Sequence, residues 1–427
     1  MNLLVLCSIV ILVALFLKVP VFVALLSGSV LYFLLEPGVN PIMFAQRAIG
    51  GVESIPLLAI PFFVAAGVFM TYSGIAHRIL NFCEVLTGRM SGGLAQVNVL
   101  MSMVMGGLSG SNIADAAMSS RMIVPIMESK GYSKEFSTVL SAVSSLLTPL
   151  VPPGIAMIIY GTISGVSIGQ IFMGGFAVAF LILAALMILV HIISKKRGYL
   201  PLRTEKVTLK EFGVAFRPAI LALFLPVIIV GAIRFGVITA TEAGAIAIAY
   251  ALLLGVFYRN LTLANVIKGI RETITTTSSI MLIIAAASAF SWILTREQIP
   301  QTMAAMALDA IESPTVFMLA VVVFVTIISL FVEGNALMLV LVPILAPIAR
   351  AFGIDDVHFA MVYIATASLG ALTPPVGTLM FVTCSITGCK TKDFIIEAIP
   401  FYITLFIVLL AMVFFPFLSL WLRDLVF

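Results

Sequence analysis

Ten residues, Gly106-Gly107-Leu108-Ser109-Gly110-Ser111-Asn112-Ile113-Ala114-Asp115, gather small side chains, hydroxyls, an amide and a carboxylate. A second stretch, Thr148-Pro149-Leu150-Val151-Pro152-Pro153-Gly154, holds three prolines in five positions. Those prolines remove backbone donors and forbid regular helix. Similar stretches recur as Glu333-Gly334-Asn335 and Thr373-Pro374-Pro375-Val376-Gly377. A broken helix frees carbonyls, and carbonyls with Ser/Thr hydroxyls and half-helix C-termini suit a sodium ion, while half-helix N-termini face an anion. The pattern predicts two Na⁺ sites. One takes Ser109, Gly110, Ser111 and Asn112 with Thr148, Pro149, Pro152 and Gly154; the other takes Glu333, Gly334 and Asn335 with Thr373, Pro374 and Gly377. An anionic substrate is expected between the two tips. Its candidate contacts are Ser111, Asp115, Ser144, Ser145 and Arg296. Asp115 and Glu333 are acids within apolar surroundings, where ionisable residues are functional candidates by default.

Competing readings attach to the same residues. Asn112 with Asp115 three positions on resembles a capping box, and Asn335 can cap the helix that follows it. Capping alone leaves the paired proline breaks unexplained. Ser144 and Ser145 can instead let helices pack closely. Arg296 and Arg234 end apolar spans, where most arginines reach for head groups. Gly107-Leu108-Ser109-Gly110 fits the G-x-S-G pattern of an intramembrane serine protease, but Ser109 needs an adjacent base. The chain's histidines, His77, His191 and His358, lie in polar turns or at a span end. No two aspartates occupy facing spans, so a paired-acid protease fares no better. A channel built on two half-helix hairpins is a further rival, and the broken helices suit a moving carrier better.

The positioning elements follow from composition. Of 427 residues, 62% are hydrophobic and only 10% charged, and the mean hydropathy is +1.23. Soluble domains carry about 25% charged residues, so this is an integral membrane protein. Long apolar runs instead of short alternating segments mark all-α spans and exclude an outer-membrane barrel. No cleavable signal peptide is evident. The net charge of +4 mostly reflects one basic loop and does not indicate nucleic-acid binding. Cys7, Cys83, Cys384 and Cys389 lie in apolar or small-residue contexts and read as buried hydrophobes.

A helical crossing needs about 20 apolar residues. Residues 94–105 and 118–127 fall short on either side of the first tip, so 94–127 reads as a re-entrant hairpin. Irregular backbone at membrane depth must line a cavity or lie in protein. Spans are expected at 2–17, 20–35, 55–72, 170–193, 218–235, 242–258, 273–294 and 394–422. Amphipathic stretches at 40–54 and 259–272 should lie along the interface, as should the mixed segment 77–92. The helices 136–165 and 358–388 are broken by the proline motifs, and 315–349 forms the second hairpin. Loop 195–217, with Lys195, Lys196, Arg197, Arg203, Lys206, Lys210 and Arg217, is cytoplasmic by the positive-inside rule.

The halves match at a shift of 222 to 223 residues. Ser111-Asn112 falls on Gly334-Asn335, Pro125 on Pro347, Gly131 on Gly353, Pro152-Pro153 on Pro374-Pro375 and Gly154 on Gly377. Each half counts five crossings, an odd number, so tandem copies take opposite orientations. Inverted repeats with discontinuous helices point to a secondary transporter. The expected division is a first repeat over 1–200, the basic loop 201–217 and a second repeat over 218–427. Scaffold spans come from 1–54 and 218–272, and a transport domain from the rest.

With the repeat, the Gly-Ser-Asn tip and Pro152-Pro153-Gly154 in view, the chain resembles the large membrane subunit of TRAP (tripartite ATP-independent periplasmic) transporters, over essentially its full length. It looks most similar to the sialic-acid type, as opposed to the C4-dicarboxylate type. The resemblance implies Na⁺-coupled import by an elevator mechanism in the bacterial inner membrane, and no enzyme activity. It implies a small four-helix membrane subunit, expected as a separate polypeptide, and a periplasmic binding protein that delivers an acidic substrate. The second tip, Glu333-Gly334-Asn335, departs from the first in lacking serines.

Overall fold

The computed structural model describes residues 3–17, 19–374 and 377–427, and these are helical with no strand. Pro20 precedes α2 (Val21–Leu35), which follows α1 (Leu3–Phe16). A short α3 (Ile42–Gly50) buries none of its residues, as expected of a helix lying along an interface. α4 (Ala59–Tyr72) turns by 74° into α5 (Ile75–Thr87), because Gly74 takes φ +74 between them. The first hairpin is α6 (Gly93–Ser109), α7 (Asn112–Met122) and a one-turn continuation α8 (Val124–Ser129) carrying Pro125. The broken helix follows as α9 (Lys134–Ser144), a 3-10 turn Ser145–Leu150 and α10 (Ile155–Ser164). Pro149 sits inside the turn, and Pro152 and Pro153 keep the backbone out of helix until Gly154. α11 (Ile168–Arg197) runs to the basic loop.

The order recurs with α12 (Leu209–Arg234), α13 (Ala240–Phe257), α14 (Leu263–Arg296), α15 (Ile299–Ala310), the hairpin α16 (Pro314–Ser329) and α17 (Gly334–Ala351), the broken pair α18 (Asp356–Gly370) and α19 (Thr378–Thr387), then α20 (Thr391–Phe414) and α21 (Phe417–Val426). α12 and α13 start with capping boxes, Thr208 with Glu211 and Thr239 with Glu242. Seven helices among the described residues are long and apolar enough to cross a membrane. Of the second break, Pro375 and Val376 lie outside the described residues.

Three expectations change. The polar stretch 259–272 and the span 273–294 do not separate: α14 is one helix of 34 residues. It ends where Gln298 turns left-handed at φ +54 and Pro300 opens α15, a helix not foreseen. The last span divides, because Pro416 stops α20 and α21 folds back on α11. Finally, α4 packs most extensively on α13 and also on α14, as α2 does on α14. This packing groups residues 59–72 with the helices expected to form the scaffold.

α21 is held at the loop before α18. Arg423 Nη1 lies 2.6 Å from Asp355 Oδ2, Ser419 Oγ lies 2.7 Å from His358 Nδ1, and Arg234 of α12 donates to the Val426 carbonyl. Burial pushes the Asp355 carboxyl up, but Arg423 and the N–H groups of Val357 and His358 outweigh it and hold the group below its ordinary value. The depressed value means this contribution is present at neutral pH and is lost as acid titrates the carboxyl. The Arg423→Ala variant is expected to speed hydrogen exchange in 417–426 by up to about fivefold, while the melting temperature falls only slightly because the pair is partly exposed. Unchanged exchange would show that apolar packing alone holds α21.

Candidate functional site

The two hairpin tips face each other across a cavity of about 360 Å³. Gly110, Ser111 and Asn112 line one side, and Glu333, Gly334 and Asn335 the other. Four helices present their N-terminal turns there: α7 through Asn112 and Ile113, α10 through Ile155 and Ala156, α17 through Gly334 and Asn335, and α19 through Thr378. Each N-terminus is equivalent to roughly +0.5 elementary charge. C-terminal ends reach the same space through Gly110 after α6, Pro149 and Ala371 after α18. No Lys or Arg is among the described residues lining it, and Glu333 is the acid.

Each tip is set by its cap. At the first, Gly110 takes φ +62 and its N–H bonds Gly106 O at 3.1 Å. Ser111, and not Asn112, is the N-cap of α7: its Oγ accepts from Ala114 N at 3.4 Å, while Asn112 Oδ1 accepts from Ile113 N. At the second, Glu333 caps α17 by accepting from Ala336 N at 3.0 Å, and Asn335 Nδ2 donates to Glu333 Oε1 at 2.9 Å. Capping here belongs to Glu333, where the sequence suggested Asn335.

The tip lies directly on the proline break. A Cβ on Gly106 would stand 2.9 Å from Thr148 Cα, one on Gly107 3.2 Å from Pro152 O, and one on Gly110 3.0 Å from Pro153 O. Glycine is required because backbone meets backbone. Behind this contact Asp115 is only 1% exposed. Neither of its carboxylate oxygens has a hydrogen-bond partner, nor do Ser109 Oγ, Thr148 Oγ1 and Ser119 Oγ, all buried. The hydroxyls of Ser102 and Thr148 are close to the carboxylate without standard hydrogen-bond geometry. Buried polar groups are normally satisfied, so the Asp115 carboxylate with the neighbouring Thr148 hydroxyl is the place in this region that could hold a small cation.

The remaining candidates fall elsewhere. Ser144 and Ser145 are wholly buried. Ser144 accepts from Ser102 at 3.0 Å and Ser145 donates to Ala142 O at 2.7 Å, so neither lines the cavity. Asp115 also lies off the cavity, among the orphan oxygens. Arg296 ends α14 over the Trp292 ring at 5.6 Å, about 20 Å along the helix from the cavity-facing Ile283. Pro152 and Gly154 contribute to the break without lining the cavity. Thr373 Oγ1 donates to Leu369 O and Gly377 N to Thr373 O. With Pro374 they follow α18, and the next residue, Thr378, reaches the cavity. Ser109 has no base: His358 pairs with Ser419, and His77 and His191 are exposed on α5 and α11.

Sequence reasoning missed Thr275, Thr276 and Ser279, which line the cavity from α14, and the buried pair Asn98 and Ser141, bonded at 2.8 Å. A signal existed for the first group. Six of the seven residues 273–279 bear hydroxyls inside an otherwise apolar span.

Residues 8–418 match the sequence model of a family described as tripartite ATP-independent periplasmic transporter, DctM component. The chain is 37% identical to the sialic acid TRAP transporter large permease protein SiaM of Vibrio cholerae, over 96% of each chain. It is 36% identical to the 2,3-diketo-L-gulonate TRAP transporter large permease protein YiaN of Escherichia coli, over 92% of each. In structure it is similar to the YdaH transporter of Alcanivorax borkumensis, with a TM-score of 0.65, 13% identity and coverage of 94% of this chain and 96% of that one.

Proposed function

The chain belongs to the DctM component family of tripartite ATP-independent periplasmic transporters, and from that membership we propose that it imports an organic acid across the bacterial inner membrane, driven by Na⁺. It is a transporter component and not an enzyme. The observation that carries the anionic substrate is the meeting of four helix N-termini in a cavity whose described lining holds no Lys or Arg. Backbone dipoles, not side-chain cations, are then the source of positive potential. N-acetylneuraminate is the first substrate to test, on the strength of the sialic acid relative. The diketogulonate relative keeps other acids, C4-dicarboxylates included, as the second reading.

Na⁺ coupling is supported by the orphan oxygens of Asp115, Ser109 and Thr148 beside the first break. The second tip with Thr373 and Gly377 would form a second, unequal site, since Glu333 is already engaged in capping. A tripartite system needs two further components. A small four-helix membrane subunit would brace the scaffold, and a periplasmic binding protein would deliver the acid. The hairpins and broken helices would travel together past the scaffold, elevator fashion, with loop 195–217 in the cytoplasm.

Proteoliposomes holding this chain and its small partner, given the binding protein and labelled N-acetylneuraminate, are expected to take up label only under an inward Na⁺ gradient. Na⁺-driven uptake of succinate or 2,3-diketogulonate alone would keep the mechanism and move the substrate. Uptake of any acid without the binding protein would overturn the tripartite reading.

A further inference from the structure

One wall of the tip cavity is neither hairpin nor broken helix. It is α14, which presents Thr275, Thr276 and Ser279 to the cavity, followed by Ile280 and Ile283. At 100° per residue these five share one face. The same face continues toward the start of α14 through Glu272 and Lys268, both exposed. Polarity along it is graded: charged residues near the helix start, hydroxyls at the cavity, isoleucines beyond.

The start of α14 lies on the side of the basic loop. Arg203 N of that loop bonds Gly88 O after α5, Phe82 of α5 packs against Phe212 and Phe216 of α12, and Asn260 just before α14 donates to Ser73 O just before α5. The polar part of the face therefore runs from the basic-loop side to the tips, and the apolar part continues away from it.

We infer that this face of α14 is the fixed wall of the substrate path, with Thr276 donating to the carboxylate and Thr275 and Ser279 accepting from the hydroxyl groups of a hydroxylated organic acid between the tips and the basic-loop side. The inference rests on the organic-acid reading above. Chemistry favours the assignment. Thr275 and Ser279 spend their hydroxyl protons on the carbonyls of Arg271 and Thr275, at 2.9 Å each, which leaves their oxygens as acceptors for substrate hydroxyls. Ile280 and Ile283 line the cavity together with Ile155, Ile159 and Met338, an apolar stretch where a hydrated acid loses its hydrogen bonds. A wall on the scaffold side gives selectivity by contacts that change as the hairpins move, while ion sites behind the tips travel intact.

Two measurements test this. In the first, Thr276→Cys in the assembled complex is treated in sealed vesicles with an anionic, membrane-impermeant thiosulfonate. The native cysteines are buried, so the unaltered protein sets the baseline. Labelling is expected from the basic-loop side only, whereas Val323→Cys, at a position 54% exposed on the outer face of α16, should resist the anionic reagent. Labelling of Thr276→Cys only by a permeant reagent, or from the other side, overturns the path, and this readout needs no substrate. In the second, Thr276→Val with Ser279→Ala removes hydroxyls at nearly constant shape. KM for labelled N-acetylneuraminate should rise about five- to tenfold, the loss of one or two hydrogen bonds, with the midpoint of Na⁺ dependence unmoved. An unchanged KM, or a shift in the Na⁺ midpoint alone, overturns the wall assignment. Absence of uptake of N-acetylneuraminate, succinate and 2,3-diketogulonate alike in the unaltered complex would defeat the organic-acid reading and leave the labelling result standing; uptake of one of the latter two moves the KM measurement to that acid.

Discussion

If Na⁺ drives uptake through the first break as proposed, replacing Asp115 with Asn is expected to abolish the Na⁺ dependence of uptake, or to shift its midpoint by about 10- to 100-fold. The magnitude follows from losing a charge-assisted contact of about 1.5–3 kcal/mol. The carboxylate is 1% exposed with both oxygens unpartnered, and a bare buried charge is costly unless something pairs with it. Its place in the first turn of α7 supplies part of the compensation through the helix dipole. In the proposed site, Thr148 Oγ1 beside the carboxylate and Ser109 Oγ, likewise unpartnered, would supply further oxygens for an ion. A purely structural role predicts something different. Asn would then change stability equally with and without sodium. Thermal unfolding separates the two, because a bound ion stabilises by mass action, about 2.7 kcal/mol at 100 times its dissociation constant. The unaltered protein should melt higher in NaCl than in choline chloride, and Asp115→Asn should lose that difference. A variant that keeps the sodium shift would remove Asp115 from the ion site.

Glycine and proline act on their own neighbours, which is why tips and breaks are legible in one dimension. Gly110 must take a positive φ, and Pro149, Pro152 and Pro153 cannot continue a helix, whatever surrounds them. Side-chain direction is another matter. Thr148 and Ser144 are one turn apart and both wholly buried, yet one is an orphan near a carboxylate and the other is tied to Ser102. Only the packing of α6 on the break decides between them. The unity of α14 was hidden for a related reason. Arg271 and Glu272 mark where polarity changes, and an interface is not a helix end: no proline falls between 263 and 296 to stop the backbone. The grouping of α4 with α13 is a contact between segments nearly 200 positions apart, which periodicity does not encode.

The two hairpins pack on their broken helices through small residues at corresponding positions, with the sizes exchanged, and that exchange predicts different genetics. In the first half the glycine is on the hairpin arm: Gly106 faces Thr148 Cα. In the second it is on the broken helix: a Cβ on Gly370 would collide with the Ser329 side chain. Gly370→Ala is expected to destabilise by about 1–3 kcal/mol through overpacking, less up to about 1 kcal/mol returned as helix propensity. Ser329→Gly should relieve most of it in the double variant, because the atoms in the way are Ser329 Oγ and Cβ. Relief stays incomplete, since Ser329 C would remain 3.0 Å from the new methyl group. The first half should offer no such rescue. A Cβ on Gly106 meets Thr148 Cα at 2.9 Å, so trimming Thr148 to Ala leaves the obstacle in place. The check is a double-mutant cycle for each pair, read from unfolding midpoints in detergent. Coupling of about 0.5–3 kcal/mol is expected for 329 with 370 and none for 106 with 148. Equal rescue in both halves would mean that the hairpins yield as whole arms, and that neither contact is set by its small residue.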